Sequence, residues 1–509
     1  MTGVKVSDTT MFNSKLKAGL MMKKTIATLM LTAIITAANA QTRPAGSGIQ
    51  LIWAPEYGDT ISSVRSIQGY YIWKNVQPTP TTWNWNELHD DLLRSRNLNK
   101  PIVIQLNMPA PDWIADSVAI LGISRGGPAP QFWDTTWRNI YTRVLVKFAQ
   151  EIAADTNKQM IVAIRVQPNG YNTEYILYDP TEFDQGNVPD EDDYNTWLSF
   201  PAGYSASSPN YPHRRTDIVP GTSDMYFQHY MKAINEVFKE QFWPLGIKTA
   251  WRTLLLGNNF TAGYVDSIFA KKDSVMTLDT RCGLNPQDGM PNRYARMTAQ
   301  TDSCEGYWED SQYPWYTDGT FTTTYSQQKN IGWRNFFRLD AKIAYCAVYG
   351  SHITYDSSFA FVNKYAGYGK LPNVSPGAWI VFHGSNVKAD NLGMFIRQSN
   401  LEETDVLTHV GQDWRTAWMR KVDANKSINL YFDNDFYSAV KCKKCTIRIT
   451  YWNQAGANWK FEGKPEVVGS GSGSVETVIY SNYRFRKKTF KISATSGEPI
   501  LHMVEISKL

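Results

Sequence analysis

Two acidic stretches carry the residue types that proton transfer and nucleophilic attack require. In the first, VQPNGYNTE, Glu174 stands beside Tyr171, Asn172 and Tyr175. The run before it, IVAIRV (161–166), is β-branched and nearly uncharged, the pattern of a strand buried on both faces. Pro168-Asn169-Gly170 breaks that run with a turn. A carboxylate just past the C-terminal end of a buried parallel strand is where a (β/α) barrel places its acid/base residue. The second stretch, TDSCEGYWEDSQY, offers Glu305, Glu309 and Asp310. Glu305 is the first choice because it comes first after an expected strand end, with Tyr307 able to hydrogen-bond it and keep it ionised. Glu309 is the runner-up. The interval from 174 to 305 matches three βα units of about 35–45 residues each. Two carboxyl groups meeting across a cleft suit glycosidic bond cleavage.

The surroundings of these acids suit a sugar. Rings expected at the cleft are Trp73, Trp113, Tyr171, Trp308 and Trp315, with Trp53 nearby. Flat apolar rings of this kind serve as platforms for pyranose faces. Gln77, Asn107, Gln167, Asn169 and Asn258 are amides suited to reading hydroxyls. Arg214 and Arg215, together with Arg281, fit sulfate or carboxylate groups on a charged polysaccharide, since guanidinium grips oxyanions bidentately.

Other chemistries are set aside. The dinucleotide glycine fingerprint, the Walker loop and H-E-x-x-H are missing, and seven histidines are scattered. Serine-nucleophile chemistry is not expected. Cys442-Lys-Lys-Cys445 has no second metal-binding pair beside it, so the five cysteines read as structural, with Cys282 paired to Cys304. No cofactor and no metal are expected.

Residues 22–40, MKKTIATLMLTAIITAANA, have the charged start, apolar run and small-residue end of a secretory signal peptide, with cleavage before Gln41. The expected location is secreted or periplasmic, with no stable membrane span. Residues 1–40 hold five lysines against one aspartate, so four of the chain's +5 charges leave with the leader. What remains is close to neutral and gives no basis for nucleic-acid binding. The expected partner is a polysaccharide or oligosaccharide; oligomeric state is open.

To position these side chains the chain needs a scaffold with eight strand ends. From Gly48, apolar strands alternate with helical stretches: IQLIWAP, GYYIWKNVQP, PIVIQLNMPAPDWI, the IVAIRV run, IKTAWRTLLLGNN and VMTLDTRCG. A less regular seventh unit follows, then SHITYDSS (351–358) as the eighth strand. The long polar excursion from Asp179 to Asp224 is a functional loop in this reading. After Trp414, short alternating strands separated by Gly, Asn and Ser turns argue for an antiparallel sandwich. The expected fold class is α/β: a leader over 1–40, a (β/α)8 TIM barrel over 41–384 and a β-sandwich over 385–509.

GYYIWKNVQPTPTTWNWNELHDDL, PIVIQLNMPAPDWI and VQPNGYNTE resemble the second, third and fourth strand regions of clan A glycoside hydrolases. Together with DWRTAWMRKVD and HMVEI in the sandwich, they resemble β-galactosidase-type and marine galactan-degrading enzymes, the β-carrageenase and agarase groups. One departure is that Thr173 separates Asn172 from Glu174, where the clan has Asn-Glu. The resemblance implies a retaining hydrolase of β-galactosidic linkages in an algal galactan, with Glu174 as acid/base and Glu305 as nucleophile about 5–5.5 Å away. An exo-acting β-galactosidase-like enzyme and a non-catalytic carbohydrate-binding protein on a degenerate barrel are the alternatives.

Overall fold

Eight short runs rich in Ile, Val, Ala and Tyr lie side by side in the computed structural model. It describes residues 43–52, 61–107, 109–118, 120–124, 127–130, 135–166, 226–252, 274–279, 305–309, 339, 343–349, 356–369, 371–382, 388–397 and 420–509. The strands are β1 (Gly48–Ile52), β2 (Val64–Ile72), β3 (Ile102–Asn107), β4 (Ile161–Arg165), β5 (Lys248–Arg252), β6 (Val275–Asp279), β7 (Glu305–Glu309) and β8 (Ile343–Tyr349). Each pairs in parallel with its sequence neighbour, and β8 returns to β1 from Gly48↔Tyr345 to Ile52↔Tyr349, which closes the ring.

Helices cover the outside of the ring between several strands. They are α1 (Trp73–Val76), α2 (Asn86–Leu98), α3 (Thr135–Ala154), α4 (Tyr226–Phe242) and α5 (Asp356–Tyr365). On α3 the buried positions Trp137, Tyr141, Val144, Phe148 and Ile152 recur every three or four residues, the stripe that a helix lays against a sheet. They meet Ile67, Tyr71, Ile104, Leu106 and Ile164 from the outer faces of the strands. Each such ring or branched chain taken from water contributes about 1.5–3 kcal/mol. His89 of α2 also bridges to α3, with Nδ1 2.5 Å from Asp155 and Nε2 3.0 Å from Glu151.

Beyond the ring come β9 (Gly377–Val381), β10 (Lys388–Asp390), β11 (Met394–Arg397), β12 (Arg420–Lys421), β13 (Ser427–Phe432), helix α6 (Asn434–Val440), β14 (Lys444–Trp452), β15 (Asn458–Phe461), β16 (Glu466–Val467), β17 (Val475–Arg484), β18 (Thr489–Ser496) and β19 (Ile500–Lys508). They form two antiparallel sheets, β9-β19-β14-β17 with β12 also on β19, and β10-β11-β13-β18-β15-β16. β13 alternates half-buried and buried residues along its length, the period-2 signature of one buried face. Ile380, Ile447 and Val504 of one sheet share a core with Ile396, Leu430, Phe432 and Trp459 of the other.

The strand that comes last in the sequence, β19, is not at an edge. It lies between β9 and β14, pairing Trp379↔Glu505 on one side and Ile449↔Val504 on the other. Gly377 is required there, because a Cβ would collide with the Ile506 carbonyl. α5 then ties both regions together. Asn363 Oδ1 accepts from the Ile49 N–H at 2.8 Å and its Nδ2 donates to the Ser63 carbonyl at 2.7 Å. Lys364 and Tyr365 donate to the buried Glu505 carboxylate of β19 at 2.6 and 2.7 Å.

The Gly-Ser run 469–474 is an ordered loop. Asn453 Nδ2 donates to Ser470 Oγ and to Glu476 Oε1, while Ser472 and Tyr451 donate to the same carboxylate. Those hydrogen bonds hold the Glu476 carboxyl below the usual carboxylate range, Asn453 contributing most. Among the described residues, no helix is long and apolar enough to cross a membrane.

Three expectations are corrected. The eighth strand is Ile343–Tyr349, not 351–358, and residues 356–365 are helical. The alanines of IAYCAVY read as a helix tail, but pairing on both sides imposes extended backbone. Gly377–Val381, read as the close of the barrel region, belongs to the C-terminal sheet through β19. Glu305–Glu309, read as a loop after a strand, is itself a strand.

Candidate functional site

Side chains on a strand point alternately to the two faces of a sheet. In β2, Ile67 and Tyr71 belong to the outer core, where Tyr71 meets Phe148 edge-on and donates to Asp91. Ser66, Gln68 and Tyr70 therefore face the axis of the ring. In β1, Leu51 faces out and Gln50 faces in. In β3, Ile102, Ile104 and Leu106 face out, leaving Val103, Gln105 and Asn107 inside. In β4, Ile164 faces out while Ala163 and Arg165 face in.

The inside of the ring is therefore polar. Gln50, Ser66, Gln68, Gln105, Asn107 and Arg165 are all buried, none more than 3% exposed. Arg165 Nη1 donates to the Tyr70 hydroxyl at 3.5 Å, across the interior between strands that are not neighbours. Gln105 Nε2 donates to Asn107 Oδ1 at 2.5 Å. Such an axis is usually filled by bulky branched apolar residues. Here the apolar cluster on this side joins the small Val103, Ala163, Ala250 and Ala347 to one large ring, Tyr345.

These groups rise toward one end of the ring. Asn107 is the last residue of β3 and Arg165 the last of β4, with Tyr70 two residues before the end of β2. The C-terminal ends of the other strands bring Arg252, Asp279 and Glu309 to the same rim by backbone position. Glu309 pairs in register with Ala347, which pairs with Gln50. Glu305 is the first residue of β7, paired with Met276, and so lies toward the opposite end of the ring. The expectation that Glu305 follows a strand end is corrected, and the residue that closes the strand is Glu309. Trp308, one residue before the end, is paired with Asp279.

Trp73 is no sugar platform. It is fully buried, with Trp137 at 5.2 Å and Tyr141 at 5.5 Å from its ring, and its Nε1 donates to Gln77 Oε1 at 2.9 Å. The Gln77 amide is spent as well, donating to the Pro80 carbonyl at 3.1 Å. Trp113 is half-buried in a short helical turn (Asp112–Asp116), with Nε1 donating to the Gln77 carbonyl at 3.1 Å. Asn107 is the last residue of β3. Glu174, Gln167, Asn169, Tyr171, Arg214, Arg215, Asn258, Trp315 and the Cys282–Cys304 pairing lie outside the described residues.

Sequence reasoning missed Arg165, Gln50, Gln68 and Gln105. The signal was present: a lone arginine inside IVAIRV, and glutamines at inward positions of GIQLI, VRSIQGYYI and IVIQLN. It also missed Gly122-Ile-Ser124-Arg-Gly126, which matches the serine-nucleophile pattern G-x-S-x-G. Ser124 ends one strand of an antiparallel hairpin (Ile120–Ser124 with Gly127–Pro130), whereas a nucleophile elbow needs a strand-to-helix turn. Cys442 and Cys445 carry free thiols, and among the described residues no cluster of three metal-ligating side chains occurs.

No family model matches the chain, and no curated protein matches it in sequence. Several solved structures align with the chain at low identity. The catalytic domain of a beta-amylase from Paenibacillus polymyxa matches at 10% identity and a TM-score of 0.41, over 64% of this chain and 98% of that one. A cold-adapted beta-galactosidase from Rahnella sp. R3 matches at 9% identity and a TM-score of 0.39, over 63% of this chain and 56% of that one. A GH30 endoxylanase from Clostridium papyrosolvens matches at 8% identity and a TM-score of 0.34, over 92% and 98%.

Proposed function

We propose that this chain is an exported glycoside hydrolase working at the C-terminal rim of a (β/α)8 barrel that is followed by a β-sandwich. Its substrate class is a polysaccharide with β-galactosidic linkages, of the carrageenan or agar type. The observation that carries the reading is the convergence of Tyr70, Gln105, Asn107 and Arg165 inside one end of the ring. Buried amides and a guanidinium are costly to keep in a core, and they are the groups that hold hydroxyls and carboxylates in a sugar cleft.

In this reading Glu174 protonates the leaving oxygen and then acts as base toward water, while a β7 acid attacks the anomeric carbon. The strand assignment favours Glu309 over Glu305 as that acid, because catalytic groups in such a ring sit past the C-terminal strand ends. Arg165 supplies positive charge on the axis that would hold the nucleophile ionised. The leader at 22–40 supports export.

The test is to incubate purified protein lacking residues 1–40 with a panel of sulfated and unsulfated galactans, reading reducing ends. Glu174→Gln and Glu309→Gln should each lower turnover by about 10³-fold or more, roughly the cost of losing an essential catalytic group. Glu305→Gln should stay within about tenfold of wild type. Wild-type rates in Glu309→Gln with loss in Glu305→Gln would return the nucleophile to position 305. Sugar binding without turnover in the wild type would end the hydrolase reading.

A further inference from the structure

On the wall formed by β1 and β2, four buried polar atoms meet no partner. They are Gln50 Oε1, Ser66 Oγ and both amide atoms of Gln68. Gln50 and Ser66 are register neighbours, and Gln68 lies two residues further along the same inward face. Gln50 spends only its Nε2, donating to the Ile67 carbonyl at 3.0 Å. The neighbours on this side include small side chains: Ala347 is the register neighbour of Gln50, and Ala163 and Ala250 belong to the same interior, with Tyr345 as its one large ring. Toward the opposite end of the ring, the Tyr345 hydroxyl donates to the Ala45 carbonyl at 2.8 Å.

We propose that this wall is a binding site for a cluster of ordered water molecules. A buried polar group left without a hydrogen bond loses its hydration and regains nothing, and four in one corner would consume a large fraction of a domain's net stability. Interior waters occur where a cavity is roomy and offers two to four polar partners. This corner supplies an amide carbonyl, a hydroxyl and a complete amide facing alanines. Water fits all four atoms because it both donates and accepts, which Gln50 Oε1 and the Gln68 NH₂ group need in opposite senses. The site does not depend on which acids are catalytic.

Two measurements on the protein lacking residues 1–40 decide it. A crystal structure at high resolution should show at least two waters within hydrogen-bonding distance of Gln68 and Ser66. Amides rotated onto protein partners, or density for an organic molecule, would overturn the proposal. Gln68→Leu should lower Tm by about 2–4 °C, because the waters lose a partner. An unchanged or higher Tm would mean that the amide was a dry orphan relieved by the change, and the site would be withdrawn. Gln68→Met, closer in shape, should shift Tm in the same direction, which separates hydration from packing.

Discussion

The ring and the C-terminal sheets are both built from alternating strands, yet they put opposite materials inside. Between the sheets lie Ile380, Ile396, Leu430, Phe432, Ile447, Trp459 and Val504. On the axis of the ring lie Gln50, Gln68, Gln105, Asn107 and Arg165. An apolar interior contributes about 25 cal/mol per Å² buried, whereas a buried amide or guanidinium contributes little net stability even when well paired. The sheets are therefore packed to hold shape, whereas the ring keeps polar groups inside at a cost in stability. Under the proposed function, stability and chemistry are divided between two interiors of one chain.

Substitutions in the two interiors should behave differently. Phe432 packs edge-on against Phe485 at 4.7 Å and lies 5.1 Å from Phe490. Phe432→Ala should cost about 3–5 kcal/mol, read as a lower midpoint in denaturant, while turnover per folded molecule stays unchanged. Gln105→Leu should do the reverse. Its stability should fall by only about 1–3 kcal/mol, the cost of taking a donor from the buried Asn107 Oδ1, while kcat/KM falls by about tenfold or more, roughly 1.4 kcal/mol of transition-state binding. A large stability loss with intact activity in Gln105→Leu would erase the contrast.

Two pH responses sharpen it further. Burial opposes the charge on His89, but its bonds to Asp155 and Glu151 outweigh burial and raise its pKa above the ordinary value. The stability it adds between α2 and α3 is complete below the ordinary imidazole pKa and is lost as pH rises through the raised one. His89→Gln should remove that alkaline slope from a plot of Tm against pH. Glu476 shifts the other way. Its contribution is present above the ordinary carboxylate pKa and is lost as pH falls through the lowered one. Glu476→Gln should flatten the acid limb, by less than about 1 kcal/mol because the carboxylate is near solvent. A scan showing no difference between either variant and wild type would remove that clasp from the account.

The sequence made several elements legible because one physical signal dominated each. IVIQLN and IVAIRV read as strands from β-branched density, and α3 read as a helix from its apolar period. β8 was hidden because Ala and Cys in IAYCAVY carry no strand preference; only its neighbours on both sides impose one. β7 was hidden because EGYWE has an acid at each end and reads as solvated loop. Trp73 illustrates a different limit. Sequence shows a ring beside a strand end, but only packing shows Trp137 and Tyr141 occupying its surroundings. The polar axis was visible as period-2 glutamines, and its meaning came only with the register that turns them inward.

The place of β19 between β9 and β14 carries a consequence for synthesis. During translation, β9, β14 and β17 emerge from the ribosome before the strand that joins β9 to the other two, so this sheet cannot be completed vectorially. The carboxylate of Glu505 that receives Lys364 and Tyr365 arrives equally late. Until that nine-residue strand slots home, a nascent chain must carry two open strand edges, which makes the pairing of β19 the event that seals the sheet.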